Sequence, residues 1–235
     1  MSILRRVRSI RLIYTNLEKE IRRAASGLEI FCPDTCGMCC EKKDIEATPL
    51  EFLPLAMHWF ETGIASDKLA ELKERQDGVC ICYKNLGGEG LGRCSEYENR
   101  GLICRLFGYS VNPDRRGSMR LLSCRIIKDS LAARGLTLSS SSVSFPVMTN
   151  WYKKLIQIEF SLGNQYFPIN TAIIKAIETV LAYYAYRPYR KRKPTKHSTA
   201  NYKLKNSPAV HGSGDKNHRR LHAMKNYSRH FSVAS

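Results

Sequence analysis

The sequence predicts a mainly α protein whose helices surround a loop-rich centre of cysteine ligands, with at most short β-strands. Two observations carry the helices: apolar residues recur at helical spacing near the start of the chain and again before residue 186. A third carries the centre, because most of the nine cysteines fall in tight groups in a glycine-rich middle stretch. At 235 residues the chain can bury one sizeable core. The pattern divides it into an amphipathic helix over 1–30, a cysteine-cluster domain with C-terminal helices over 31–186, and a basic, disordered tail over 187–235.

The first element is a helix because Ile3, Val7, Ile10, Tyr14, Leu17, Ile21, Ala24 and Leu28 alternate at spacings of four and three. Gly27 marks its end. Thr48-Pro49-Leu50-Glu51 is a capping box with proline at the first helical position, predicting a helix over 49–61 that buries Phe52, Leu55, Ala56 and Trp59. Gly63 stops it, and a shorter helix capped by Ser66 follows to about residue 76. Short β-structure is expected over 79–83 and 119–124, with Asn112-Pro113-Asp114 turning the chain before the second of these. The Gly87–Gly92 region lacks a following Gly-Lys-Ser/Thr, so it is expected to be a flexible hairpin presenting Cys94 rather than a phosphate loop. Further helices are predicted over 125–134, 146–162 and 171–186, the last capped by Asn170, with a polar linker at 139–142.

The chemistry lies in the thiols. Cys32-Pro-Asp-Thr-Cys36-Gly-Met-Cys39-Cys40 puts four of them in nine residues around a glycine. A tetrathiolate ion needs sulfurs about 3.7 Å apart, a spacing that a turn can supply and a regular helix or strand generally cannot. Cys80-Ile-Cys82, then Cys94 and Cys104, supply further ligands. The candidate metal ligands are Cys32, Cys36, Cys39, Cys40, Cys82, Cys94 and Cys104. A primary site is expected from Cys36, one of Cys39 or Cys40, Cys94 and Cys104, because the side chains of consecutive residues tend to diverge. Cys32 could substitute for any of these. Cys80, Cys82 and Cys124 are candidates for a second site, although a lone Cys124 equally fits a small core residue. Arg93, Arg100 and Arg105 flank two predicted ligands, either lowering thiol pKa or bonding loop carbonyls. His58, on an apolar helix face, reads as a core or boundary residue.

These residues resemble the YkgJ-type cysteine-cluster (CxxCxxCC) family of zinc- or iron-chelating domains. The family pattern is an early C-x-x-C-G-x-C-C, then C-x-I-Y-x-x-R-P-x-x-C-R. The whole first knuckle, Cys94, Tyr97, Arg100, Cys104 and Arg105 match it over about residues 30–110. Three residues rather than two separate Cys32 from Cys36, and Gly101 stands where the family usually has proline. The resemblance implies zinc or iron as the cofactor, with an iron–sulfur cluster left open by four-cysteine ligation. A metal-binding module leads. Alternatives are an iron–sulfur enzyme of electron or group transfer, similar to flagellin lysine methylases, and a nucleic-acid-binding protein with a structural metal core. No other catalytic constellation names a substrate.

Charge sorts unevenly. Of the net +17, the tail from Arg187 holds +12, with thirteen Lys and Arg against the single Asp215. Such a tail can bind nucleic acid or an anionic surface through phosphate contacts. Acidic Glu18 and Glu20 argue against a transit peptide, and Arg5, Arg6, Arg8 and Arg11 break up any secretory apolar run. A cytoplasmic location is therefore expected, where clustered cysteine means metal or redox chemistry. No stretch approaches the roughly 20 apolar residues of a membrane span.

Overall fold

The computed structural model describes residues 1–29, 31–32, 35–88, 90–135 and 144–189. The chain separates into units Met1–Tyr189 and Arg190–Ser235; the second, with most of the basic tail, lies outside the described residues, as does the 139–142 linker.

The fold is mainly α. Helix α1 (Ile3–Leu28) forms where the apolar stripe predicts, burying Ile3, Val7, Ile10, Tyr14, Leu17 and Ala24. Ser2 caps its start, and Glu29 rather than Gly27 takes the left-handed closing position, at φ 49°. Strand β1 (Glu46–Ala47) leads into the capping box, in which Thr48 and Glu51 bond each other across a 3₁₀ turn at Pro49–Phe52. Helix α2 (Leu53–Thr62) follows and ends at Gly63, φ 83°. Helix α3 (Ala65–Glu74) starts one residue before the expected Ser66 cap, which therefore lies inside it.

The centre holds two hairpins, β2 (Tyr83–Gly88) with β3 (Leu91–Cys94), and β4 (Ser110–Pro113) with β5 (Met119–Leu122). Between them lie a 3₁₀ turn at Tyr97–Asn99 and the short helix α4 (Leu102–Leu106). Helix α5 (Arg125–Ala133) follows, with Gly135 at φ 64° just beyond it.

The single helix expected over 146–162 is two. Helix α6 (Met148–Ile156) and the turn α7 (Phe160–Gly163) are separated at Glu159, whose backbone is extended and whose carboxylate meets Arg6 of α1 at 2.5 Å. The break lets Gly163 press on Leu50 and Ile156, where an added Cβ would stand 2.9 Å from Leu50 Cδ2. A continuous helix would carry Gly163 away from that contact. Strand β6 (Phe167–Pro168) pairs antiparallel with β1, and α8 (Ile169–Ala185) packs on α2 and α3.

Two apolar cores form among the described residues. The large one joins α1, α2, α6 and α8 and includes Cys80 and Cys82, with Cys94 and Cys104 packed against it. The small one comprises Ala24, Val111, Ile127, Leu131 and Phe145, with Tyr109 and Cys124 packed against it. Among the described residues, no helix is long and apolar enough to cross a membrane.

Candidate metal centre

Four chain segments bring in eight of the nine thiols, and each is held by contacts other than sulfur. The first knuckle docks on the β2–β3 hairpin. Gly37 N–H donates to Gly90 O (2.8 Å), Gly92 N–H to Thr35 O (2.9 Å), and Cys36 bridges Leu91 in antiparallel register. The Tyr83 ring covers both glycines: a Cβ on Gly37 or Gly92 would meet Tyr83 Cε2 at 2.4 or 2.2 Å. Its hydroxyl donates to Glu41 Oε1 (2.5 Å), and the same carboxylate accepts from Gly90 N–H (3.0 Å). The glycine-rich run therefore serves close packing beneath an aromatic ring. Gly92→Ala is expected to cost about 2 kcal/mol by displacing the ring. In a Tyr83→Ala background the same change should be nearly neutral, and denaturant titration of all four chains checks the cycle.

Cys80-Ile-Cys82 is a turn rather than the expected strand, closed by Tyr83 N–H to Cys80 O (2.9 Å). Asn170 of α8 determines this. Its side chain accepts from Ile81 N–H (3.0 Å) and donates to Val79 O (2.8 Å), so it clamps the thiol turn and does not cap α8. Asn170→Ala removes both bonds and should cost about 1–2 kcal/mol. Faster metal loss to a chelator than in the native chain is the accompanying readout.

Cys94 ends β3, and Ser95 ties it to Cys82 O through its N–H (2.7 Å) and hydroxyl (3.0 Å). The next loop is fixed through Glu96, which accepts from buried Trp59 Nε1 (3.0 Å). Glu96 is thereby a structural acceptor; His58 stands at the boundary, 3.9 Å from its carboxylate. Cys104 rides on α4, whose Ile103 N–H donates to Glu51 Oε2 (2.7 Å). The capping-box glutamate thus also holds a helix start fifty-two residues away. Gly101 needs to be small there: a Cβ would meet the Phe52 ring at 2.7 Å and Glu51 Oε2 at 2.9 Å. Buried Arg105 donates to Glu98 O (2.6 Å) and Arg100 O (3.1 Å) and pairs with Glu18 of α1, which makes it a bracket for the loop. Arg100 lies over the Tyr97 ring, and its charge reaches Cys94 and Cys40.

The thiols sort into two neighbourhoods. Cys82 lies within electrostatic reach of Cys80 and Cys94, and Cys40 of Cys80, Cys94 and adjacent Cys39. Cys104 joins this group through Cys80, Cys40 and Cys94. Cys32 contacts Cys36 and lies within electrostatic reach of Cys39 and Cys124, and Cys39 of Cys124 and Cys36. The expected foursome of Cys36, Cys39 or Cys40, Cys94 and Cys104 is thus divided between the two. Cys124, read as a core residue or second-site candidate, joins the knuckle; Cys80, left out of the primary set, lies inside the larger group.

All nine thiols are free. Burial, with the neighbouring thiols, pushes Cys32 and Cys40 up to about 12 and Cys39 to about 11. Cys94 goes the other way, to about 7, because Cys82 and the Glu96 N–H donate to its thiolate and Arg100 adds positive charge. Among the described residues, no three Cys, His, Asp or Glu side chains stand in a ready-made coordination shell. The sulfurs are gathered without being closed on a common point. The donor set fits zinc or iron: soft, several sulfurs deep, and unfavourable to ionise until a cation offsets the charge.

Neither the comparison with curated proteins nor that with solved structures gave a match. Residues 31–125, which hold all nine cysteines, match the model of the CxxCxxCC family, described as a "putative zinc- or iron-chelating domain".

Proposed function

We propose that this protein is a thiolate metal-binding module whose principal centre is drawn from Cys40, Cys80, Cys82, Cys94 and Cys104. The observation that carries this reading is the tie of Ser95, beside Cys94, to Cys82 O in the Cys80–Cys82 turn, with Cys40 and Cys104 in electrostatic reach of Cys80 and Cys94. Those sulfurs come from four parts of the chain, each positioned by its own polar contacts, which supports the reading. A bound zinc or iron would supply positive charge that favours the thiolates and would tie the knuckle, hairpin and α4 together. Asn170, Ser95, Glu51 and Arg105 fix the backbone of the ligands, and Arg100 offsets part of the thiolate charge.

The test is anaerobic purification of the full chain under reducing conditions, followed by elemental analysis and a visible spectrum. Stoichiometric zinc with no colour supports a mononuclear thiolate site. Iron with acid-labile sulfide and a brown colour supports a cluster at the same residues. A metal-free chain that takes up neither zinc nor iron overturns the reading.

A further inference from the structure

We propose that the chain holds two separate thiolate centres, the second built from Cys32, Cys36, Cys39 and Cys124 and taking a soft divalent cation. This rests on the reading of the five-thiol group as the principal centre. The partition follows the two apolar cores. Cys80 and Cys82 are buried in the large core, and Cys94 and Cys104 pack on it. Cys124 packs on the small core, as does Tyr109, whose hydroxyl accepts from Cys32 N–H at 3.0 Å. The start of the knuckle is therefore tied to the structure that carries Cys124. Its middle is tied to the hairpin through Gly37 and Cys36. Between these anchorages Cys39 and Cys40, adjacent in sequence, serve opposite groups.

Cys124 does not act as a helix cap. It occupies the position preceding helix α5, where Ser, Thr, Asp or Asn would accept from the first-turn N–H groups, and its side chain makes no capping bond. Four thiols complete a tetrahedral zinc site without a fifth donor. Binding exchanges thiol protons for the cation: each ligating S–H releases its proton to solvent as its sulfur bonds the metal, with no change in oxidation state.

The experiment loads the reduced full-length chain with zinc without oxygen, removes the excess, and counts ions per chain for the native protein and for Cys124→Ser. Serine caps helices better than cysteine, so this variant retains the fold; circular dichroism checks that it does. Two ions in the native chain and one in Cys124→Ser are expected. Cobalt(II) should then give tetrahedral thiolate absorption in both, at about half the intensity in the variant. One ion in both the native chain and Cys124→Ser overturns the second centre and leaves the principal one standing. Two ions retained in Cys124→Ser overturn the assignment of Cys124. One ion in the native chain and none in Cys124→Ser overturns the two-centre proposal and the five-thiol reading. No ions in the native chain overturn both.

Discussion

Removing the metal with a chelator is expected to lower the thermal midpoint of the reduced protein by about 10 °C. A ligand held a thousandfold above its dissociation constant stabilises the folded state by about 4 kcal/mol, and a chain of this size shifts by about 2–4 °C per kcal/mol. The loss should be local before it is global. The knuckle, the β2–β3 hairpin and α4 meet where the thiols meet, whereas α1, α2, α6 and α8 share a large apolar core. Hydrogen exchange should therefore accelerate first at the amides of residues 36–41 and 90–95, with α8 protected until global unfolding. Unchanged exchange at those amides after metal removal would show that the thiols do not organise the centre. Calorimetry with and without chelator measures the midpoint.

Glu51→Ala carries the second large effect, a loss of about 4 kcal/mol. The Glu51 side chain is wholly buried and accepts from Thr48 N–H (2.7 Å), Thr48 Oγ1 (3.1 Å), Ile103 N–H (2.7 Å) and Tyr152 OH (3.4 Å). Truncation leaves several buried donors unpaired at about 1–3 kcal/mol each, partly offset by relaxation. It also releases the start of α4, so metal retention should weaken with stability. Glu51→Gln is a finer probe. Burial pushes the Glu51 carboxyl up to about 7 despite its hydrogen bonds. The native state therefore holds this proton more tightly than the unfolded chain does. Its contribution to stability is fully present below pH 4.5, falls as the pH rises, and is lost above about 7, by about 3 kcal/mol in all. Glutamine does not titrate, so the stability difference between native and Glu51→Gln chains should shrink as the pH rises from 5 to 8. Urea unfolding at both pH values reads it directly, and a constant difference would contradict the assignment.

The helices were legible because amphipathic periodicity is a local property. The stripe from Ile3 to Ala24 and the Thr48–Glu51 capping box each appear in the structure as the sequence predicts. The helix expected over 146–162 failed because its break depends on partners distant in sequence, Arg6 for Glu159 and Leu50 for Gly163. Asn170 misled for a similar reason. A polar residue beside a helix start has the residue type of a cap, and nothing nearby in sequence reveals that Val79 and Ile81 claim its side chain. Glu51 was half visible: its bond to Thr48 is three residues long and predictable, its bond to Ile103 is not.

By itself the sequence determined that this is a mainly α chain with a thiol-rich, glycine-bearing centre of the zinc- or iron-chelating pattern, because residue type, spacing and periodicity are local. Only the tertiary structure decided which thiols are neighbours. Cys39 and Cys40 are adjacent in the chain, yet Cys39 lies within electrostatic reach of Cys124 and Cys36, and Cys40 of Cys80 and Cys94. That choice is made by packing: the knuckle is pinned to one hairpin by Tyr83 over two glycines and to the small core by Tyr109. Side chains leaving adjacent residues of so fixed a backbone diverge.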